Sequence, residues 1–257
     1  MSRLLASGNA ARNGCLAAFA AQSGFTADVG AFERNFLPSV LGVPCNAEAL
    51  TEGLGVSSVL SKVSFKPWCA ARQTMSATQA LREILANGVR AQDATAVEVS
   101  IPDPYLKMID NGVVMGERAS FLTSVWYQMA LAACEPDACF DAMQNPAAVA
   151  RPIGDFMEKV RVRADPALLA HFPSQWPARV AVRTREGSRE RLVLDVPGDP
   201  GRPFCEAEVA EKFRRVVVPL LGERPASELL ALALAAAESP DTVPRLLSAV
   251  TQSYGRA

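Results

Sequence analysis

The sequence predicts a mixed fold: an all-α helical bundle domain, present in part, interrupted by a smaller α+β domain. Three observations predict it. Ala- and Leu-rich helical patterning occupies both ends of the chain. Period-2 alternation of apolar and polar residues is confined to the middle. Between the middle and the end stands Pro197-Gly198-Asp199-Pro200-Gly201-Arg202-Pro203, a cluster that neither helix nor strand tolerates.

The opening segment, Leu4 to Phe25, is dominated by Ala and Gly. Ala favours helix, and small side chains let another helix approach closely. A helix this smooth has little side-chain area of its own to bury, so it is expected inside a packed bundle. Gly24 is placed to cap it. Thr26 then opens a second helix through Phe36, stopped by Pro38.

In the middle, Val97-Glu98-Val99-Ser100-Ile101 and Val160-Arg161-Val162-Arg163-Ala164 alternate as half-buried strands do. Ala178 to Thr184 and Arg191 to Val196 make two more, joined across Arg185-Glu186-Gly187-Ser188-Arg189 as a hairpin. Helices are expected between the strands, over Ser76 to Ala86, Arg118 to Cys134 and Gly154 to Lys159, and a short one ends at His171. After the Pro/Gly cluster, Glu206 to Leu221 is amphipathic. Ala226 to Glu238 is nearly all Leu and Ala and is expected buried. Asp241 caps a last helix to Ser253.

Composition excludes several classes. The chain has 257 residues, a net charge of −1 and 49% apolar residues, which argues against a nucleic-acid surface. No apolar run is long enough to span a bilayer, and no signal-peptide core follows the N-terminus. The six cysteines form no C-x-x-C pair and His171 is the only histidine, so neither a metal site nor a cofactor is expected. Scattered thiols fit a reducing, cytoplasmic location.

The segment Ser64 to Thr78 holds the chemistry. It reads as a short strand broken at Pro67 that runs through small residues into a helix. Lys66 and Arg72 flank a turn whose backbone N–H groups are expected to point outward, a recipe for holding a carboxylate. The alternative is a Pro-broken loop with two solvated basic residues.

Three regions together resemble the MmgE/PrpD family, whose best-known activity is that of 2-methylcitrate dehydratase. They are Gly8-Asn9-Ala10-Ala11-Arg12-Asn13-Gly14 with Gly24-Phe25-Thr26, then Phe65-Lys66-Pro67-Trp68-Cys69 with Arg72 and Thr74, and then Pro177 to Val182 through Gly198-Asp199-Pro200 to Ala210-Glu211-Lys212-Phe213-Arg214. The resemblance implies a helical domain over 1–62 and 203–257 and an α+β lid over 63–202, with the active site between them. It implies a carbon–oxygen lyase, a dehydratase that abstracts a proton alpha to a carboxylate of a small polycarboxylate. Lys66 would stabilise the enolate-like intermediate, and Tyr127 would serve as general acid. Arg72, Thr74 and Asn9 would bind substrate. Each has a plainer reading: a surface lysine, an arginine paired to a neighbouring acid, a helix-capping threonine and a core tyrosine.

The resemblance covers only the C-terminal half of the family pattern. Ala6 and Met75 stand where the family has histidines, and neither side chain moves a proton. The base is therefore expected from another residue type or another polypeptide. The short helical domain leaves apolar helices to be covered, so a split enzyme is expected. It would be completed by a chain carrying the missing N-terminal helices, or by a homodimer contact. Two further readings remain open: a non-catalytic subunit, and a decarboxylase or epimerase on the same fold.

Overall fold

The computed structural model describes residues 2–28 and 30–254. More than half of the chain is helical, around one small four-stranded mixed sheet, which is the fold class expected. The chain divides into two compact units, residues 1–58 and 59–257.

The first unit is helical. Helix α1 (Ser2–Gln22) ends at Gly24, whose φ of 92° no other residue type adopts as readily. The second helix differs from expectation. Residues 25–28 are irregular, and a π-helical stretch, Phe32–Val40, runs through Pro38 instead of stopping before it. Proline lacks an N–H, and the wider winding accommodates it. Asp28 fixes the approach, accepting from Gly30 N at 3.0 Å and from Arg34. Helix α2 (Ala47–Thr51) is capped by Asn46, whose side chain accepts from Ala49 N. Leu5, Leu16 and Phe19 on α1 are exposed, as are Leu54 and Val56.

The second unit is built on α3 (Arg72–Ala86), β1 (Ala96–Ile101), α4 (Asp103–Ile109), α5 (Arg118–Thr123), α6 (Val125–Cys134), α7 (Arg151–Met157), β2 (Val160–Ala164), β3 (Ala178–Thr184) and β4 (Gly187–Val193). The sheet order is β2-β1-β3-β4. β1 and β2 are parallel, with Val97 opposite Val160, and helices α4 to α7 make the crossover between them. β3 runs antiparallel to β1 and to β4. Val97, Val99, Val180 and Val182 turn to one face and bury against Met75, Leu81, Ile84 and Met129.

Expected boundaries moved at the hairpin and within the crossover. The hairpin is tighter than the sequence suggested, because Ser188, Arg189 and Glu190 are polar but pair as strand, Ser188 opposite Arg183 and Arg189 opposite Val182. Only Arg185 and Glu186 turn, and Thr184 Oγ1 accepts from Glu186 N at 3.2 Å. The single helix expected over Arg118 to Cys134 is two. Ser124 takes an extended ψ of 113°, donates to Asn111 O at 2.6 Å and accepts from Tyr127 N, so it stops α5 and caps α6.

Three helices follow: α8 (Glu206–Leu221), α9 (Glu223–Glu238) and α10 (Val243–Tyr254). α9 packs between α8 and α10. Its expected burial is not met, for only Ala226 and Leu229 are buried and Leu234 is 41% exposed. Two neighbouring helices cover one stripe of a helix, not its circumference.

Candidate functional site

The backbone from Phe65 to Ala71 is fixed at three points. Phe65 N donates to Gly198 O at 2.8 Å, Cys69 N to Cys139 O at 3.0 Å and Ala71 N to Leu122 O at 2.8 Å. Gly198 is required there: its φ is 94°, and a Cβ on it would collide with the Phe65 carbonyl oxygen. The outward-facing N–H groups expected at this turn are not available at Cys69, Ala70 or Ala71, since Ala70 N also bonds, to Trp68 O at 3.2 Å. Helix α3 starts at Arg72, four residues before the expected Ser76, with Ala71 at its N-cap.

Lys66 is exposed, and its Nζ donates to Ala70 O at 2.9 Å across the turn. The side chain is thus folded back over the segment that leads into α3. Arg72 is 15% exposed and pairs with Asp199, itself 2% exposed, at 2.6 Å. Asp199 also accepts from Val196 N at 2.8 Å, so the pair ties the start of α3 to the Pro/Gly cluster. The guanidinium lies 5.6 Å from the Trp176 ring, on which Tyr105 stacks at 4.9 Å. Thr74 is buried and donates to Ala71 O at 2.9 Å, a back-bond inside the first turn of α3.

Tyr127 is 3% exposed, edge-on to Phe121 at 5.0 Å. Burial pushes its phenol up to about 12, helped by the nearby carboxylate of Glu135. Asn9 lies on α1 in the first unit, whereas Lys66, Arg72, Thr74 and Tyr127 all lie in the second. Met75 is fully buried in the core.

Three cations share the neighbourhood of Cys69. Burial raises its thiol, Lys212 pulls it back down, and Arg118 and Lys66 act in the same direction as Lys212. The Cys69 thiol donates to Phe140 O at 3.5 Å, and Arg118 is anchored by a bond to Ala142 O. The charges of Lys212, Arg118 and Lys66 thus all act on the Cys69 thiol, opposed by that of Asp141. Such a cluster holds carboxylates and stabilises charge developing on an enolate. Lys212 was visible only as part of the Ala210 to Arg214 motif, and Arg118 carried no signal at all. Their influence on the Cys69 thiol comes from the tertiary fold, not from spacing in the chain.

Among the described residues, no three His, Cys, Asp or Glu side chains are grouped to hold a metal ion, and no helix is long and apolar enough to cross a membrane. A family model described as the MmgE/PrpD C-terminal domain matches residues 68–237, well over half of the chain. The match spans the Trp68 turn, the whole sheet, and α8 with nearly all of α9. No curated protein matches the sequence significantly.

Proposed function

The chain belongs to the MmgE/PrpD family, and from that premise we propose that it is a subunit of a dehydratase-type carbon–oxygen lyase acting on a small polycarboxylate. A base removes the proton alpha to a carboxylate, the charge on the resulting enolate is neutralised by Lys66 with Arg118 and Lys212, and the beta-hydroxyl leaves. The observation that carries this reading is the family match over residues 68–237. The positive charges of Lys212, Arg118 and Lys66 that act on Cys69 are in keeping with it.

Roles divide by what each side chain has left to give. Lys66 donates to Ala70 O and carries its charge at the turn itself. Arg72 is engaged by Asp199, so its part in substrate binding is to hold the turn in place. Thr74 completes that first turn of α3. Tyr127 keeps its proton through neutral pH and is the general acid of this reading. Asn9 is a further substrate-binding residue in this reading. The base comes from a second polypeptide, which also covers the apolar side chains exposed on residues 1–58. The assembly works in the cytoplasm.

Exchange in deuterium oxide tests this. The chain, alone and co-purified with the products of neighbouring genes, is incubated with 2-methylcitrate and with citrate, and the carbon alpha to each carboxylate is followed by NMR. Deuterium at that carbon together with an unsaturated product supports dehydration. Exchange without elimination indicates an epimerase, and loss of carbon dioxide a decarboxylase. Absence of all three, in a complex that assembles, removes the lyase reading.

One observation favours a second reading. Met75, at the position where the family resemblance expects a histidine, is 0% exposed and packs in the core of the α+β part. A site that has traded a proton carrier for a core side chain fits a non-catalytic subunit kept for binding or assembly.

A further inference from the structure

A cavity of about 470 Å³ lies between α3 and α8. Its apolar walls are Pro67, Trp68, Phe140, Pro197, Phe204 and Ala207. Three of its lining residues carry a donor with no acceptor among the described residues. The Trp68 indole N–H is buried, on a residue only 4% exposed, and bonds to nothing. Arg82 Nη1 is likewise buried and unbonded, and among the described residues the Arg82 guanidinium has no hydrogen bond and no carboxylate partner. It rests on the Trp68 ring at 5.3 Å. Lys212, half-buried on α8, forms no ion pair with any described residue.

The acids on the same wall are already in use. Glu208 accepts from Cys205 N at 2.8 Å, capping α8, and Glu211 accepts from Arg215 Nε at 2.9 Å. Gln79 donates to Glu83 at 2.9 Å. Leaving a buried donor unsatisfied is unfavourable, and leaving a guanidinium without a counter-charge more so. Two such groups and a lysine, all on residues that line one apolar-walled cavity, describe a receptor for an anion that carries an apolar body.

We propose that this cavity binds a small organic carboxylate, its head taken by Trp68 Nε1, Arg82 and Lys212 and its apolar chain by Phe140 and Phe204. The site is not lined by Lys66, and Lys212 is the one cation it shares with the cluster acting on Cys69. It does not depend on the proton-abstraction chemistry proposed above. A carboxylate offers two acceptor oxygens, matching one guanidinium N–H and one indole N–H.

Calorimetric titration of the 257-residue chain with sodium octanoate tests this, with 1-octanol and inorganic phosphate as controls. Saturable octanoate binding is expected, with neither control competing. Arg82→Gln is expected to weaken it about tenfold or more, the scale of one lost charge-assisted bond. Trp68→Phe keeps the ring, removes only the N–H and is expected to weaken binding severalfold. Lys212→Gln, on a half-exposed helix face, serves as the third variant should either of the others fail to fold. No octanoate binding, equal affinity for phosphate, or parent-like affinity in all folded variants would overturn the proposal.

Discussion

Arg72 and Asp199 form the most deeply buried ion pair among the described residues. Replacing Arg72 with Ala leaves the Asp199 carboxylate with a single donor, Val196 N, in a site that is 2% exposed. Breaking a buried pair from one side costs about 3–5 kcal/mol, because the remaining charge is desolvated and unpaired. For a unit of this size each kcal/mol moves the melting temperature by roughly 2–4 °C, so Arg72→Ala should melt about 6–20 °C lower. The intact pair is not itself a large stabiliser. Arg72 Nη1 and Asp199 Oδ1 are both buried without partners, so part of the desolvation is never recovered. Joint replacement, Arg72→Met with Asp199→Leu, should therefore recover most of the loss. Thermal melting followed by far-UV circular dichroism reads both variants. A single-variant loss below about 1 kcal/mol, the worth of an exposed pair, would refute the reasoning.

Three further outcomes follow from the same structure. Burial alone would raise the Glu83 carboxyl, but hydrogen bonds from Gln79, Arg191 and Arg202 outweigh it and hold the group below its ordinary 4.5. The stability it supplies is present above 4.5 and lost as pH falls through the lower folded value, so Glu83→Gln should flatten the melting curve against pH between neutrality and acid. Tyr105 and Tyr127 are both raised to about 12, chiefly by burial, so their contribution is complete below pH 10 and is lost as pH rises through about 12. Ultraviolet titration should show neither ionising at pH 10, and two normal tyrosinates there would contradict the burial. Among the thiols, Cys15 and Cys205 are exposed whereas Cys139 is buried and pushed up to about 11. Brief iodoacetamide treatment at neutral pH should alkylate the first two and spare Cys139, as peptide mass spectrometry would record.

Much of the fold was legible because its signals are local. The alternation in Val97 to Ile101 and Ala178 to Thr184 gives each strand within a residue, and Glu206 to Leu221 gives α8 outright. The errors came where a nonlocal contact overrode local chemistry. Ser188 to Glu190 look like loop, yet β3 supplies a ladder that any backbone can join. Ser124 sits inside a helical pattern and breaks it by bonding to Asn111. Of the site, Lys66, Arg72 and Thr74 could be named from one segment. Their true relations could not, because Asp199 pairs with Arg72 from 127 residues away. The positive charges that act most on the Cys69 thiol likewise belong to Lys212 on α8 and Arg118 on α5. Arg82 gave no sign in the sequence, being one basic residue on an amphipathic helix.

The most direct measurement of the central claim is the rate of alpha-proton exchange by the assembled complex carrying Lys66→Ala. The account predicts a loss of about 10²–10³-fold, the scale of removing one group that stabilises developing negative charge, with partial rescue by Lys66→Arg. A turnover rate unchanged from the parent would contradict a catalytic Lys66 and leave the chain a binding or assembly subunit.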